Sequence, residues 1–508
     1  MSLASAVNAV RGSERYVLGG FLVILLGLLL LSTRNVAPAP PSTSSTGECP
    51  PGSSRLLAAA PASLAAEAAA AAPMQRLTPN AALIATMNEH VHNDDLLLED
   101  GMIQTSFSNK GGLQCVPSPT TSQFKWEAPI GTLKIYVYKE MMKVMEPHKC
   151  LQTVTPMWLE EVELPSWVVK SIHYTNNPDE AHMFFIPAMV RCILDFNRTQ
   201  FHLTSEFTEM VDVLHTKHDY YRRNHGHDHF IINPGGGSMN VISSLLAGEL
   251  HPVAANDWYS NATKLLSEAA RSRAYFSGLD FVIPGSADYI FGKFMDVSQK
   301  IEEERPMLFL YLGGTSLGDQ RQALGRLRKL VQGDSEQAAF FRDKVLIANK
   351  IDDPVPELYS LRIQNFTFCA APHGTSPWTQ RFYDSLISGC IPVQFDRRFR
   401  FGFYDHIDWD SIVVRYPTSQ LDSFSFLEYL YKLSLDEDFI RERRRQIAAV
   451  AHLFYYGESS KALQTTAAAL SDPDPVVRRE AYHLNAYSMT IRELADRYCT
   501  LRMDGHVQ

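Results

Sequence analysis

Short apolar runs alternate with helix-forming stretches from about Thr132 onward, and this alternation limits the fold more than any other feature of the chain. Leu133–Tyr138, Ala181–Pro187, His229–Ile232 and Leu279–Pro284 read as strands, with helices at Trp158–Ser171 and Phe201–His218. Strands joined through helices pair in parallel, because a hairpin turn cannot make that connection. The pattern then restarts. Met307–Tyr311, Asn365–Ala370 and Ile391–Phe395 read as strands, and Asp319–Gln332, Trp378–Ser388 and much of Phe424–Tyr455 as helices. The expected class is therefore α/β, with two similar Rossmann-like halves divided near Gln299–Pro306. Such sheets bind ligands outside the carboxyl ends of their strands, in a crevice between the halves. Residues just after a strand reach that crevice, and residues at a strand's start do not. With 508 residues, 45% of them hydrophobic, the chain has enough apolar material for two such cores. A net charge of −9 excludes a protein built chiefly to bind nucleic acid, which needs a basic surface.

Ahead of this body the sequence changes character. Tyr16–Thr33 is 18 residues without a charge, close to the shortest helix that crosses a bilayer at roughly 17 residues. Arg11 and Arg15 precede it, which leaves the short tail in the cytoplasm. Pro38, Pro40 and Pro41 around Ala39 make a poor cleavage site, so an uncleaved signal anchor is favoured over a cleaved signal peptide. Asn35–Ser54 is a Pro, Ser and Thr run, and Ala58–Ala72 holds 11 alanines in 15 positions; neither can build a core. The expected order is a cytoplasmic tail (1–15), a transmembrane anchor (16–33), a stem and lead-in (34–130), an N-terminal half (131–300), a C-terminal half (301–460) and a helical tail (461–508). That is the layout of a single-pass type II Golgi membrane protein with a lumenal body. Three N-glycosylation sequons, at Asn197, Asn261 and Asn365, fit a lumenal body; the last lies in an apolar strand pattern and is expected to be buried and unmodified.

The chemistry concentrates between Asn365 and Phe395. A strand ends in Pro372-His373-Gly374, a polar loop follows, a helix starts near Pro377 or Trp378, and Gly389-Cys390-Ile391-Pro392 leads into the next strand. Free N–H groups at a helix start suit a diphosphate. Arg381 and Asp384, three apart on one helix face, suit a phosphate clamp and an acceptor for ribose hydroxyls. Upstream, Leu312-Gly313-Gly314 runs through Gly318 to Arg321 between a strand and a helix, so the backbone can approach a phosphate closely and Arg321 adds charge.

These motifs resemble the exostosin-like glycosyltransferases, family 47 of the sugar transferases. The resemblance rests on Phe368-Cys369, Pro372-His373-Gly374, Thr379 with Arg381, Asp384 and Gly389-Cys390-Ile391-Pro392-Val393. Ile135–Tyr138, Asn177–Ala181, Phe184–Pro187, Asp228–Phe230 and Phe403–Trp409 also match, so it spans roughly Leu133–Tyr456. It implies a GT-B fold of two Rossmann-like domains and inverting transfer from a nucleotide sugar, with no bound metal expected. The expected substrate pair is a UDP-sugar and a polysaccharide or glycoprotein glycan. The donor residues would be Gly313, Gly314, Arg321, Pro372, His373, Gly374, Thr379, Arg381 and Asp384. One departure is His373, where the family usually has Arg; a neutral imidazole brings less charge to the phosphates. It keeps open a second reading, a catalytically silent lumenal subunit that stabilises or targets an active transferase, alone or in a homo- or hetero-oligomer.

Inversion also needs a general base from the N-terminal half. Glu140 and Asp195, just after the first two strands, are better placed than Arg191 or the His225–His229 cluster, whose Asp228 and His229 start a strand. The Asp-x-Asp pairs at 408/410, 436/438 and 472/474 read as chance in an acidic chain, and Arg441 with Arg443–Arg445 as a solvated helix face that leaves an acidic acceptor open. Cys369 and Cys390 read as buried thiols, and Cys150 and Cys192 as one disulfide option.

Overall fold

The computed structural model describes residues within 113–507, chiefly 131–144, 160–189, 213–233, 261–267, 279–285, 297–348, 362–374, 378–397, 399–456 and 474–507. The anchor, the stem up to residue 112, Asn197 and the Cys150 and Cys192 option lie outside the described residues. Among the described residues no helix is long and apolar enough to cross a membrane.

Eleven parallel strands form two sheets among these residues. The first contains β1 (Ile135–Val137), β2 (Tyr174–Thr175), β3 (Met183–Ile186), β4 (His229–Ile232), β5 (Thr263–Leu266) and β6 (Phe281–Val282), in the order β2-β1-β3-β4-β5-β6. The second contains β7 (Met307–Leu312), β8 (Val345–Ala348), β9 (Phe366–Ala370), β10 (Ile391–Gln394) and β11 (Val414–Arg415), in the order β11-β10-β9-β7-β8. Each sheet starts in its interior, steps outward to its second strand, then reverses across the first. Such a reversal is a topological switch point, and it opens a crevice at the carboxyl edge. In the first sheet it lies between β1 and β3, in the second between β7 and β9. Sheets covered on both faces require apolar side chains on both sides of each strand, and every residue of β3, β9 and β10 is buried.

Among the helices are α1 (Lys139–Val144), α2 (Glu160–Lys170), α3 (Asp319–Val331), α4 (Glu336–Arg342), α5 (Gln380–Ile387), α6 (Phe424–Ser434), α7 (Glu437–Val450) and α8 (Ala486–Met503), with shorter helical segments at Tyr220–Arg223 and Pro475–Ala481. The single helix expected over 424–455 divides at Leu435, and Asp436 caps α7 by accepting from Phe439 N at 3.0 Å. Of the helix expected over 201–218, only a π-helical turn, Val213–Lys217, falls among the described residues. Four strands escaped the pattern altogether, among them the two-residue edge strands β2 and β11. β5 carries Lys264, fully buried and paired with Asp280 at 3.1 Å, so its polar letter hid an interior position. β8 is short and half-buried.

The C-terminal stretch is no free tail. Most of α8 is buried: Arg497 Nε donates to Thr263 Oγ1 of β5 (3.3 Å), and Trp126 Nε1 donates to Thr500 Oγ1 (3.0 Å). Cys499 bonds Cys115, and Leu113 and Trp126 are buried, so these residues belong to the body rather than the stem. Cys369 and Cys390 are likewise bonded to one another, not free thiols as expected; adjacent parallel strands bring them together. Asn365 corrects another expectation. It is exposed, because β9 begins one residue later and leaves it in the preceding turn. The arginine run is not a solvated face either. Arg444 is buried and donates to Glu303 O (2.7 Å), while Arg441 pairs with Glu302 (2.9 Å) and Asp438 (2.8 Å).

Candidate active site

The two halves meet along their carboxyl edges. Phe403 N donates to Val282 O at the end of β6 (2.9 Å), Tyr456 OH donates to Pro284 O (2.8 Å), and the Trp158 and Trp378 rings lie 4.7 Å apart. Trp378 precedes α5, so this ring pair joins the first half to the loop that starts that helix.

At the β7/β9 switch point two arginines converge. Arg381, the second residue of α5, donates from Nε to Leu312 O at the end of β7 (2.6 Å). Arg321, in the first turn of α3, donates from Nε to His373 O after β9 (3.0 Å). Burial lowers the Arg321 pKa, and the charge of Arg381 adds to the effect against the pull of Tyr311. Among the described residues neither arginine has a carboxylate partner. Two half-buried guanidinium groups on carbonyl oxygens alone make a site of excess positive charge, with nitrogens left over for an anion.

The glycines explain how the side chains fit. A Cβ at Gly313 would stand 2.8 Å from Arg381 Nη2 and 2.9 Å from Tyr311 OH, so a side chain there would push that guanidinium out of its place. Gly318 has φ +79 and turns the chain into α3. Gly314 O accepts from Tyr311 OH (2.7 Å), and a Cβ at Gly374 would meet Arg321 Nη2 at 3.2 Å. Pro372 is buried at the end of β9.

Helix α5 starts later than the spacing suggested, at Gln380 with Thr379 as its N-cap, and Pro377 lies outside the described residues. Thr379 makes no side-chain cap bond. Among the described residues its Oγ1 and Trp378 Nε1 are buried without a hydrogen-bond partner. A buried hydroxyl and indole N–H left over at a helix N-terminus are groups a bound anion or sugar would satisfy. Asp384 is buried next to Gln380 Nε2 (3.4 Å), and Arg381 turns to Leu312 O rather than to it. His373 is tied down: Nδ1 lies 2.8 Å from Gly374 O and Nε2 3.0 Å from Asp319 Oδ1.

The candidate bases separate clearly. Glu140, in the first turn of α1, pairs with His218. Asp195 lies outside the described residues, and Arg191 N donates to Glu161 Oε1 (2.9 Å). His229 is fully buried, with Nδ1 2.7 Å from Asp228 Oδ1 and Nε2 2.8 Å from Tyr138 OH. Among the described residues no cluster of three or more His, Cys, Asp or Glu side chains could hold a metal ion. The Asp-x-Asp pairs serve locally: Asp410 pairs with Arg415 (3.0 Å), Asp436 caps α7, and Asp472 Oδ1 accepts from Asp474 N (2.8 Å). The motif residues were legible from spacing. Tyr311, Trp158 and His218 were not, because nothing local marks an aromatic or histidine that acts on a residue far along the chain.

The Exostosin GT47 domain matches residues 131–428. Among curated relatives, the chain is 26% identical over 295 residues to the Arabidopsis thaliana protein named probable glycosyltransferase At5g03795, covering 55% of this chain and 50% of that one. It is 25% identical over 299 residues to the Arabidopsis probable beta-1,4-xylosyltransferase IRX10L (56% and 68%), and 24% identical over 299 residues to the probable glucuronosyltransferase GUT1 of Oryza sativa subsp. japonica (56% and 68%). The chain thus spans half the length of the first of these relatives. Among solved structures it matches Anabaena Alr3699/HepE in complex with UDP, at 11% identity and a TM-score of 0.30 over 55% of this chain and 76% of that one.

Proposed function

We propose, from the premise that the chain belongs to the exostosin GT47 family of glycosyltransferases, that it is an inverting, GT-B-type transferase moving a sugar from a UDP-sugar to a polysaccharide or glycoprotein glycan. Its place would be the Golgi membrane, as a single-pass type II protein with the body in the lumen; the uncharged 16–33 stretch and the Pro- and Ala-rich stem support this. The observation that carries the functional reading is the pair Arg321 and Arg381, half-buried at the β7/β9 switch point with no carboxylate partner among the described residues. A diphosphate there would take charge-assisted hydrogen bonds from both guanidiniums and N–H groups from the start of α5. The same contacts would stabilise the charge that collects on the leaving UDP. The relatives named for xylosyl and glucuronosyl transfer put UDP-xylose and UDP-glucuronate first among donors to try.

A silent subunit is the second reading, and one observation favours it: the His373 ring is spent on Gly374 O and Asp319 rather than open to a phosphate. UDP release by the purified lumenal body, across a panel of UDP-sugars and oligosaccharide acceptors, decides between them. Release with one donor, reduced about 10²-fold or more in Arg381→Ala, is the expected result. A folded protein that releases no UDP with any pair is the silent subunit.

A further inference from the structure

We propose that His218 is the general base of the transfer and that Glu140 is its positioning residue. The inference rests on the glycosyl-transfer reading above.

The argument starts from topology. The order β2-β1-β3 puts the first sheet's switch point at the carboxyl end of β1, so an acceptor entering the crevice meets the residues that follow Val137. Glu140 opens α1 there. His218 reaches the same level from a distant segment: its ring packs 5.6 Å from Tyr138 and stacks 5.4 Å from Tyr220, and its Nε2 lies 2.5 Å from Glu140 Oε1. Tyr220 in turn packs against Tyr136, one step down the strand. The segment thus descends the sheet face from the carboxyl edge, with His218 at the top.

Among the described residues the first half holds two histidine–carboxylate pairs, and their surroundings assign them different work. In Asp228–His229 both side chains are buried, and both imidazole nitrogens are occupied, by Asp228 and by Tyr138 OH. That pair braces the Tyr138 ring on which His218 rests. In Glu140–His218 the side chains are 33% and 23% exposed, and only Nε2 is engaged. Among the described residues Nδ1 of His218 has no partner. A carboxylate on one imidazole nitrogen, with the other open at a crevice edge, is the arrangement that makes histidine an effective base.

The step balances within these groups. With Nε2–H donated to Glu140, Nδ1 takes the proton of the acceptor hydroxyl as that oxygen bonds to the anomeric carbon. The bond from that carbon to the diphosphate oxygen breaks, and its electron pair leaves with UDP, held by Arg321 and Arg381. Glu140 stabilises the imidazolium until it returns the proton to water. Among the described residues the charged or titratable groups packed against the ring are Glu140, Tyr138 and Tyr220.

The test uses the active UDP-sugar and acceptor pair. His218→Ala is expected to lower kcat by about 10²–10⁴-fold, with UDP affinity by calorimetry unchanged and partial recovery on adding imidazole. It should also abolish the acidic limb of the kcat/KM–pH profile. Glu140→Gln should lower kcat with KM little changed, Glu140→Asp should restore part of the loss, and the double variant should be no worse than His218→Ala. His218→Gln keeps the shape of the ring pocket and separates catalysis from folding. If this variant unfolds at the wild-type temperature and retains full kcat, the proposal is overturned while the transferase reading stands. If the wild type binds UDP but transfers no sugar to any acceptor, both fall together.

Discussion

At the scale of single residues, the structure gives reasons for letters that the motif alone left unexplained. Gly389 has φ +67, and a Cβ there would lie 2.9 Å from Arg305 Nη2. That nitrogen donates to Ser388 O while Nη1 donates to Phe366 O, so Arg305 ties the end of α5 to the start of β9. Burial pushes the Arg305 pKa down to about 9, with Arg444 adding to the effect, so its charge is held at a cost that these carbonyls offset. Gly389→Ala should therefore destabilise the protein by about 1–3 kcal/mol, read as a shift in the urea midpoint at constant slope. His373 poses the complementary question. Its ring bonds leave the donor charge to Arg321 and Arg381, so His373→Arg should tighten UDP binding several-fold without moving the thermal midpoint. An unchanged dissociation constant in calorimetry would mean that the added guanidinium pairs with Asp319 or Asp396 instead. The glycines, the arginines and the Thr379–Arg381 spacing were readable in advance because each is a local requirement of a βα turn. Gly389's second duty, making room for an arginine 84 positions back, was not.

At the scale of elements, α8 shows how far a segment's role can depart from its appearance. Its mixed polar and apolar letters read as a tail, yet it is packed between β5 and a loop of the second half. His406 of that loop faces Glu493 (3.7 Å) and Asp496 (3.6 Å) on α8. Burial alone would lower the His406 pKa, but the two carboxylates outweigh it and hold it above its ordinary value. Burial pushes Asp496 up to about 6, against the pull of Arg492 and His406. The signs agree. A raised histidine contributes stability that is complete below 6.5 and lost as pH rises through the folded value. A raised carboxyl is easier to keep protonated in the fold, and that contribution disappears between 3.8 and about 6. The clamp's own contribution should thus fall from pH 5.5 to pH 8, against His173, His182, His227 and His452, which burial holds below the ordinary histidine value and which favour the fold as pH rises. The thermal midpoint of wild type less that of His406→Gln should therefore shrink over this range. A difference between the two midpoints that grows with pH over this range would refute the clamp. β5 and β8 were illegible for a related reason: Lys264 is interior only because Asp280 meets it, and β8 is too short to show a period.

At the scale of the whole molecule, the two sheets share the order of their first five strands, each with a switch point at its carboxyl edge, the second sheet's beside Arg321 and Arg381 and the first sheet's beside Glu140 and His218. The amino ends of the strands face away from that chemistry. Asn365 lies there, exposed in the turn before β9, so on the lumenal reading it is an acceptor for an N-glycan that leaves the crevice clear. Expressed in a secretory host, the full chain should lose mass on endoglycosidase treatment. Asn365→Gln should remove part of that loss and leave UDP release unchanged. Lys432→Asn, which creates a sequon on exposed α6, is the control: if it is modified and Asn365 is not, the turn is closed to the enzyme. The alternation of strands and helices, the parallel pairing and the glycine-bearing βα loops follow from local sequence, because side-chain period and turn chemistry act over a few residues. Tertiary structure alone decided that Glu140 meets His218, that Lys264 meets Asp280 and that Cys115 bonds Cys499 across a separation of 384 residues. Those contacts exist only once packing brings distant segments together, and no local pattern records which partner each group will find.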